Sequence, residues 1–281
     1  MAEMPAGRSV RLPGRGTTFV RDAPGPPGAP TLVLLHGLGA TARLNWPGAF
    51  EALSPSFRVV AIDHRGHGRG IRTAMPFRLR DCADDIVVLA DVLGIDRVIA
   101  VGYSMGGPIA LHARRRHPTR VSGLVLCATA ARFGSDGEPR RSPAGSALAT
   151  ALRLTPPPLR RQMADAAIGY LARETPMSPA FVDETRQHDP AAIVEASQSL
   201  RVFDARPWLG QLGCPAASVV TERDHLVSRH RQIELAHAVG AAIVPLDAGH
   251  EAAVTSPTTF LPALATACRH VASRLDRRAA G

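Results

Sequence analysis

Residues 102–107 read Gly102-Tyr103-Ser104-Met105-Gly106-Gly107, a G-x-S-x-G pattern between an apolar run ending at Val101 and a helical segment starting near Pro108. A serine on a sharp strand-to-helix turn presents its hydroxyl outward. The glycines remove Cβ atoms where the flanking backbones must come close. The plainer reading is a Gly-rich turn whose serine caps the following helix. The strand-turn-helix context weighs toward a nucleophile. A serine hydroxyl attacks well only when an imidazole can take its proton and a third group orients that imidazole. The chain holds 11 histidines and 24 acidic residues, so residue type alone leaves those partners open.

The elements that would carry such a serine follow from the spacing of apolar residues. Nearly continuous apolar runs at 31–35, 58–62, 98–101, 124–127, 217–220 and 241–244 predict strands buried on both faces of a parallel sheet. Residues 10–12 and 17–20, around Pro13-Gly14, predict an opening hairpin. Helical patterns at 81–93, 108–116, 229–239 and 257–275 lie between or after the runs, so strand and helix alternate. From 132 to 206 the alternation stops. That stretch is Pro-rich, shows no buried strand and carries four helical patterns at 144–154, 159–173, 179–188 and 190–200. It is expected to be a helical cap inserted into a core of residues 1–131 and 207–281. Apolar side chains in it, among them Leu148, Leu154, Met163, Leu171 and Phe181, fit either a pocket lining or ordinary helix packing.

With these motifs in place the chain resembles the α/β-hydrolase superfamily, from residue 31 to about residue 273. Leu34-Leu35-His36-Gly37-Leu38-Gly39 is similar to the family's H-G-x-G segment, and Asp63-His64-Arg65-Gly66-His67-Gly68 to its D-x-R-G-x-G loop. Both stand in family order with the serine elbow. The resemblance implies an α/β fold with a mostly parallel central sheet flanked by helices. It also implies Ser104 as nucleophile, an acid after a late strand and a histidine after the last one. Thr221-Glu222-Arg223-Asp224 is similar to the family's G-x-x-D, with Thr221 where the family has glycine, and Asp247-Ala248-Gly249-His250 ends in its G-H. The implied triad is therefore Ser104, Asp224 and His250, in the chain order of this fold. Glu222 and Asp247 remain alternative acids. His250 would accept the serine proton and return it to the leaving group, while Asp224 orients the ring. By the same resemblance the backbone N–H groups of Leu38 and Met105 form the oxyanion hole. His36, Trp46 and Tyr103 are the expected pocket residues, with His36 also bracing the oxyanion turn.

Composition narrows the field. The net charge of +9 comes from 33 basic residues, every one an arginine, because the chain has no lysine. Scattered arginines without interleaved aromatics do not suit single-strand binding, and no nucleic-acid partner is expected. A P-loop is impossible without lysine, and no G-x-G-x-x-G opens a helix, so no cofactor is expected. Cys82, Cys127, Cys214 and Cys268 form no C-x-x-C pair, and no metal site is expected. No stretch approaches a membrane span and the first ten residues carry no apolar core, so a cytoplasmic protein is expected. The expected activity is hydrolysis of a carboxylic ester or related acyl bond of a small, hydrophobic molecule. Rival activities are acyl transfer on the same triad, carbon–carbon bond cleavage, and ligand binding without catalysis.

Overall fold

The inner strands of the central sheet send alternate side chains to two separate cores. In the computed structural model, which describes residues 4–134, 142–174 and 179–280, strands β3 (Thr31–Leu35), β4 (Arg58–Ile62), β5 (Val98–Tyr103) and β6 (Val121–Cys127) are almost wholly buried. Val33, Leu35, Val60, Ile62, Leu124 and Leu126 enter one core. Leu32, Leu34, Val59, Ala61, Val125 and Cys127 enter the other. Two-sided burial is why these runs read as continuous apolar sequence rather than as alternation.

The sheet has eight strands in the order β1-β2-β4-β3-β5-β6-β7-β8. The first two, β1 (Gly7–Leu12) and β2 (Gly16–Ala23), pair antiparallel, as does β2 with β4, and every later pairing is parallel. Strands β7 (Ala216–Thr221) and β8 (Ala242–Leu246) complete it. The expectation of full burial at 241–244 fails. β8 alternates half-buried and exposed and is buried only at Leu246, with Ile243 39 % exposed, because it is an edge strand paired to β7 alone.

Two short helices, α1 (Ala42–Asn45) and α2 (Ala49–Leu53), follow β3. Helices α3 (Leu79–Val92) and α4 (Gly106–Arg116) cover one face of the sheet through Ile86, Leu89, Ile109 and Leu111. Between β6 and β7 run α5 (Pro143–Leu154), α6 (Pro157–Glu174), α7 (Pro179–Thr185) and α8 (Pro190–Val202). This segment leaves and returns at one place, where Arg132 bridges Asp204 and the Ala205 N–H donates to the Ala131 carbonyl at 2.8 Å. Residues 135–141 and 175–178 of the expected cap lie outside the described residues, as does the side chain of Leu171. Leu148, Leu154, Met163 and Phe181 are exposed. A 3-10 turn at Arg206–Gln211 leads into β7. Then come α9 (Arg229–Ala238), α10 (Ala252–Thr255) and α11 (Pro257–Ala280). The second face is closed by α11, through Phe260, Leu264, Cys268 and Val271, together with Phe50 and Leu53 of α2. Among the described residues no helix is long and apolar enough to cross a membrane.

Candidate active site

Ser104 sits between β5 and α4 with φ +50°, one of two non-glycine residues with positive φ among the described residues. Such a conformation costs of order 1–3 kcal/mol and persists only where surrounding contacts impose it. Those contacts are visible. The Ser104 N–H donates to the Cys127 carbonyl at 2.9 Å, and Thr129 Oγ1 donates to the Ser104 carbonyl at 2.8 Å. A Cβ on Gly106 would lie 2.0 Å from the Leu35 carbonyl oxygen, and one on Gly102 would lie 2.3 Å from that of Gly106. The elbow is thus as tight as its backbone permits, which is the physical reason for its glycines.

The loop after β8 brings His250 to this serine. Its Nε2 lies 3.0 Å from Ser104 Oγ, and its Nδ1 lies 2.8 Å from Asp224 Oδ2. A carboxylate oxygen only accepts, so Nδ1 carries the proton and Nε2 offers its lone pair to the serine hydroxyl. Asp224 follows β7 and is buried. Burial alone would raise its pKa. The hydrogen bonds from His250, the Val227 N–H and Thr221 outweigh burial and hold the carboxyl below its usual range. The two alternative acids lie elsewhere: Asp247 pairs with Arg223 at 2.7 Å and is largely exposed, while Glu222 reaches Arg229 at 3.4 Å.

The turn after β3 also lies beside the serine. A Cβ on Gly37 would be 3.4 Å from Ser104 Cβ, and the Gly37 N–H donates to Asn45 Oδ1 at 2.7 Å. Among the described residues neither the Leu38 nor the Met105 backbone N–H has a hydrogen-bond acceptor within the chain.

The three expected pocket residues are placed differently from one another. Tyr103 is buried and its hydroxyl donates to the His250 carbonyl, so it steadies the histidine backbone rather than lining an open pocket. Burial pushes its phenol pKa up. Trp46 is a correction. It is fully buried in the second core, edge-on to Tyr103 and tilted against Phe260, and α1 turns it inward rather than toward a pocket. His36 is fully buried too. Its Nδ1–H donates to the Gly37 carbonyl at 2.8 Å and its Nε2 accepts from the His64 N–H at 2.9 Å. Burial lowers its pKa to about 4, so the ring is a neutral strut between the β3 and β4 loops.

Three contributors were invisible to sequence patterning. His188 belongs to the insertion, yet its Nε2–H donates to the Gly39 carbonyl and its Nδ1 accepts from the Gly68 N–H. Asn45 lies in a four-residue helix too short to show a period. Gln232 sits under Asp224, and its only hint was the unusual Thr221 it binds. His36, His64, His67 and His188 form a contiguous ring cluster. No group of His, Cys, Asp or Glu among the described residues is arranged to hold a metal ion. A groove of about 890 Å³ between α3, α4, α5 and α8 is lined by no triad residue and includes the Arg153–Glu195 ion pair.

Fold and constellation together define a class. The sequence profile of the α/β hydrolase fold matches residues 30–257, and the chain belongs to that family. RutD of Agrobacterium fabrum, named as a carbamate hydrolase, is 28% identical over 249 residues, spanning 83% of this chain and 90% of that protein. RutD of Caulobacter sp. K31, similarly named, is 41% identical over 97 residues, and that match spans only 36% of its length. Among solved structures, the enol-lactonase of Burkholderia xenovorans LB400 superposes with a TM-score of 0.74 at 26% identity, covering 93% of this chain and all of that one. A hydrolase from Pseudomonas aeruginosa PA01 gives 0.76 at 22% identity over 93% and 98%, a likeness of fold.

Proposed function

We propose that the chain is a cofactor-independent serine hydrolase that cleaves a carboxylic ester or related acyl bond of a small, hydrophobic substrate. One observation carries this reading: the continuous contact from Ser104 Oγ to His250 Nε2 and from His250 Nδ1 to Asp224 Oδ2. Ser104 Oγ attacks the carbonyl carbon while His250 Nε2 takes the hydroxyl proton. The carbonyl electron pair moves onto oxygen, which the N–H groups of Leu38 and Met105 bind; such a donor is worth about 10²–10³ in kcat. Collapse expels the leaving group with the proton held by His250, leaving an acyl ester on Ser104. Water then attacks that ester with His250 again as base, releasing the acid and restoring the hydroxyl.

Helices α5–α8 act as the cap in this reading, and their exposed apolar residues contribute to substrate binding. Relatives are named for hydrolysis of a carbamate and of an enol-lactone, both acyl compounds, which supports an acyl substrate. The test is a panel of p-nitrophenyl esters of increasing chain length, an enol-lactone and a carbamate, run beside fluorophosphonate labelling. Labelling of Ser104 and turnover of at least one acyl compound are expected. A folded protein that takes no label, while a control esterase does, would remove the proposal.

A further inference from the structure

Asp224 receives more hydrogen bonds than orienting a histidine requires. Its Oδ1 accepts from the N–H groups of Leu226 and Val227 at 2.9 and 2.7 Å. Besides His250, Oδ2 accepts from Thr221 Oγ1 at 2.8 Å, and Gln232 Nε2 lies 3.2 Å from it. Thr221 ends β7 and Gln232 lies in α9, and both are buried, Gln232 completely. Thr221 occupies the position where the family's G-x-x-D pattern has a glycine, which could offer no hydroxyl.

The polarity of this network is determined by Gln232. Its Oε1 accepts from the Thr221 N–H at 3.0 Å, and its Nε2 donates to the Val227 carbonyl at 2.7 Å. Only one amide orientation satisfies both, since the flipped form would set oxygen against a carbonyl and N–H against N–H. In that orientation Nε2 also donates to Thr221 Oγ1 at 2.8 Å. With a donor on its lone pair, the Thr221 hydroxyl hydrogen is left for Asp224 Oδ2. The direction is therefore Gln232 to Thr221 to Asp224, opposite the histidine.

We infer that Thr221, which donates to Asp224 Oδ2, and Gln232, which donates to Thr221, are positioning residues that temper the charge facing Nδ1 and thereby set the basicity of His250. This inference rests on the serine-hydrolase reading above. Each donor on Oδ2 draws charge from the side facing Nδ1. Removing the hydroxyl concentrates that charge on His250, stabilises its protonated form, and makes it a usable base only at higher pH.

The experiment compares Thr221→Val, Thr221→Gly, Thr221→Ser and Gln232→Met with the wild-type chain, following p-nitrophenyl butyrate turnover and the rate of fluorophosphonate inactivation against pH. For Thr221→Val and Thr221→Gly the acid limb of both profiles should move up by about half a unit. Their kcat should fall about tenfold with KM unchanged. Thr221→Ser should restore the wild-type profile, and Gln232→Met should move the limb in the same direction by less. Thr221→Gly installs the residue of the family pattern, so the comparison survives if valine prevents folding. Wild-type limbs in folded variants that lack the hydroxyl would overturn the inference, provided wild-type Ser104 is labelled. Absence of label on the wild-type chain would instead count against the serine reading.

Discussion

His188 Nε2–H donates to the Gly39 carbonyl at 3.0 Å, joining the helical insertion to the peptide that follows Leu38. The opposite nitrogen accepts from the Gly68 N–H at 2.8 Å, so one imidazole spans the loops after β3 and β4. Neighbouring contacts reinforce the join: Thr41 Oγ1 donates to Glu184 at 2.8 Å, and the Asp189 N–H donates to the Gly66 carbonyl at 2.7 Å. This edge of the insertion is fastened to the turn proposed to bind the oxyanion. His188→Ala should keep the fold by circular dichroism and lower kcat about tenfold, a fraction of what losing a whole oxyanion donor costs. KM should change little. A variant with wild-type kcat would mean that the turn holds its shape without the insertion.

The proposed triad makes a graded prediction. Ser104→Ala and His250→Ala should each lower kcat by about 10⁶-fold, and Asp224→Asn by about 10⁴-fold, because the amide can hold the ring but favours the wrong tautomer. Asp247→Asn should be close to wild type, since its carboxylate faces solvent beside Arg223. Steady-state kinetics with p-nitrophenyl butyrate reads all four. An active Asp224→Asn beside a dead Asp247→Asn would exchange the acid assignment.

How much of this was legible beforehand depends on range. The strands at 31–35 and 58–62 were readable because burial on both faces leaves a solid apolar run. The elbow was readable because its backbone crowding demands glycine. Helices α1, α2 and α10 span four or five residues, too few to display a helical period, and went unread. Trp46 was misread for the same reason, since its inward direction is set by α1. The partnership of His188 with Gly39 joins residues 149 positions apart and leaves no local trace. Thr221 did stand out, as a mismatch with a motif, but its meaning required Gln232 from the next helix.

Crowding at the elbow gives a stability prediction separate from chemistry. A methyl group on Gly106 would meet the Leu35 carbonyl oxygen at 2.0 Å, and backbone cannot swing aside as a flexible side chain would. Gly106→Ala should cost about 1–3 kcal/mol, in the range of overpacked core substitutions. Urea denaturation measures it. A loss below about 0.5 kcal/mol, the scale of neutral surface changes, would show that β3 and α4 separate more easily than their packing implies.

Acid should unfold this chain earlier than its carboxylates alone would suggest. Burial lowers His36 and His188 to a pKa of about 4, and His64 and His67 well below the usual histidine value. His112, held against Phe203 and Trp208, is also lowered to about 4. The unfolded chain binds protons at these histidines from about pH 6.5 downward, whereas in the folded chain His36, His112 and His188 stay neutral until about pH 4, and His64 and His67 shift in the same direction. Their contribution is therefore complete above about pH 6.5 and is lost as the pH falls toward 4. For fully buried His36 the shift corresponds to about 3 kcal/mol. Asp63 acts with the opposite sign, since burial raises its pKa and acidification relieves a buried charge. Four histidines in contact outweigh one carboxyl. Urea midpoints should fall steeply from pH 6.5 to 4.5 and lie flat from 7 to 8. A midpoint unchanged down to pH 4.5 would mean that the cluster is protonated, or open to water, in the folded chain.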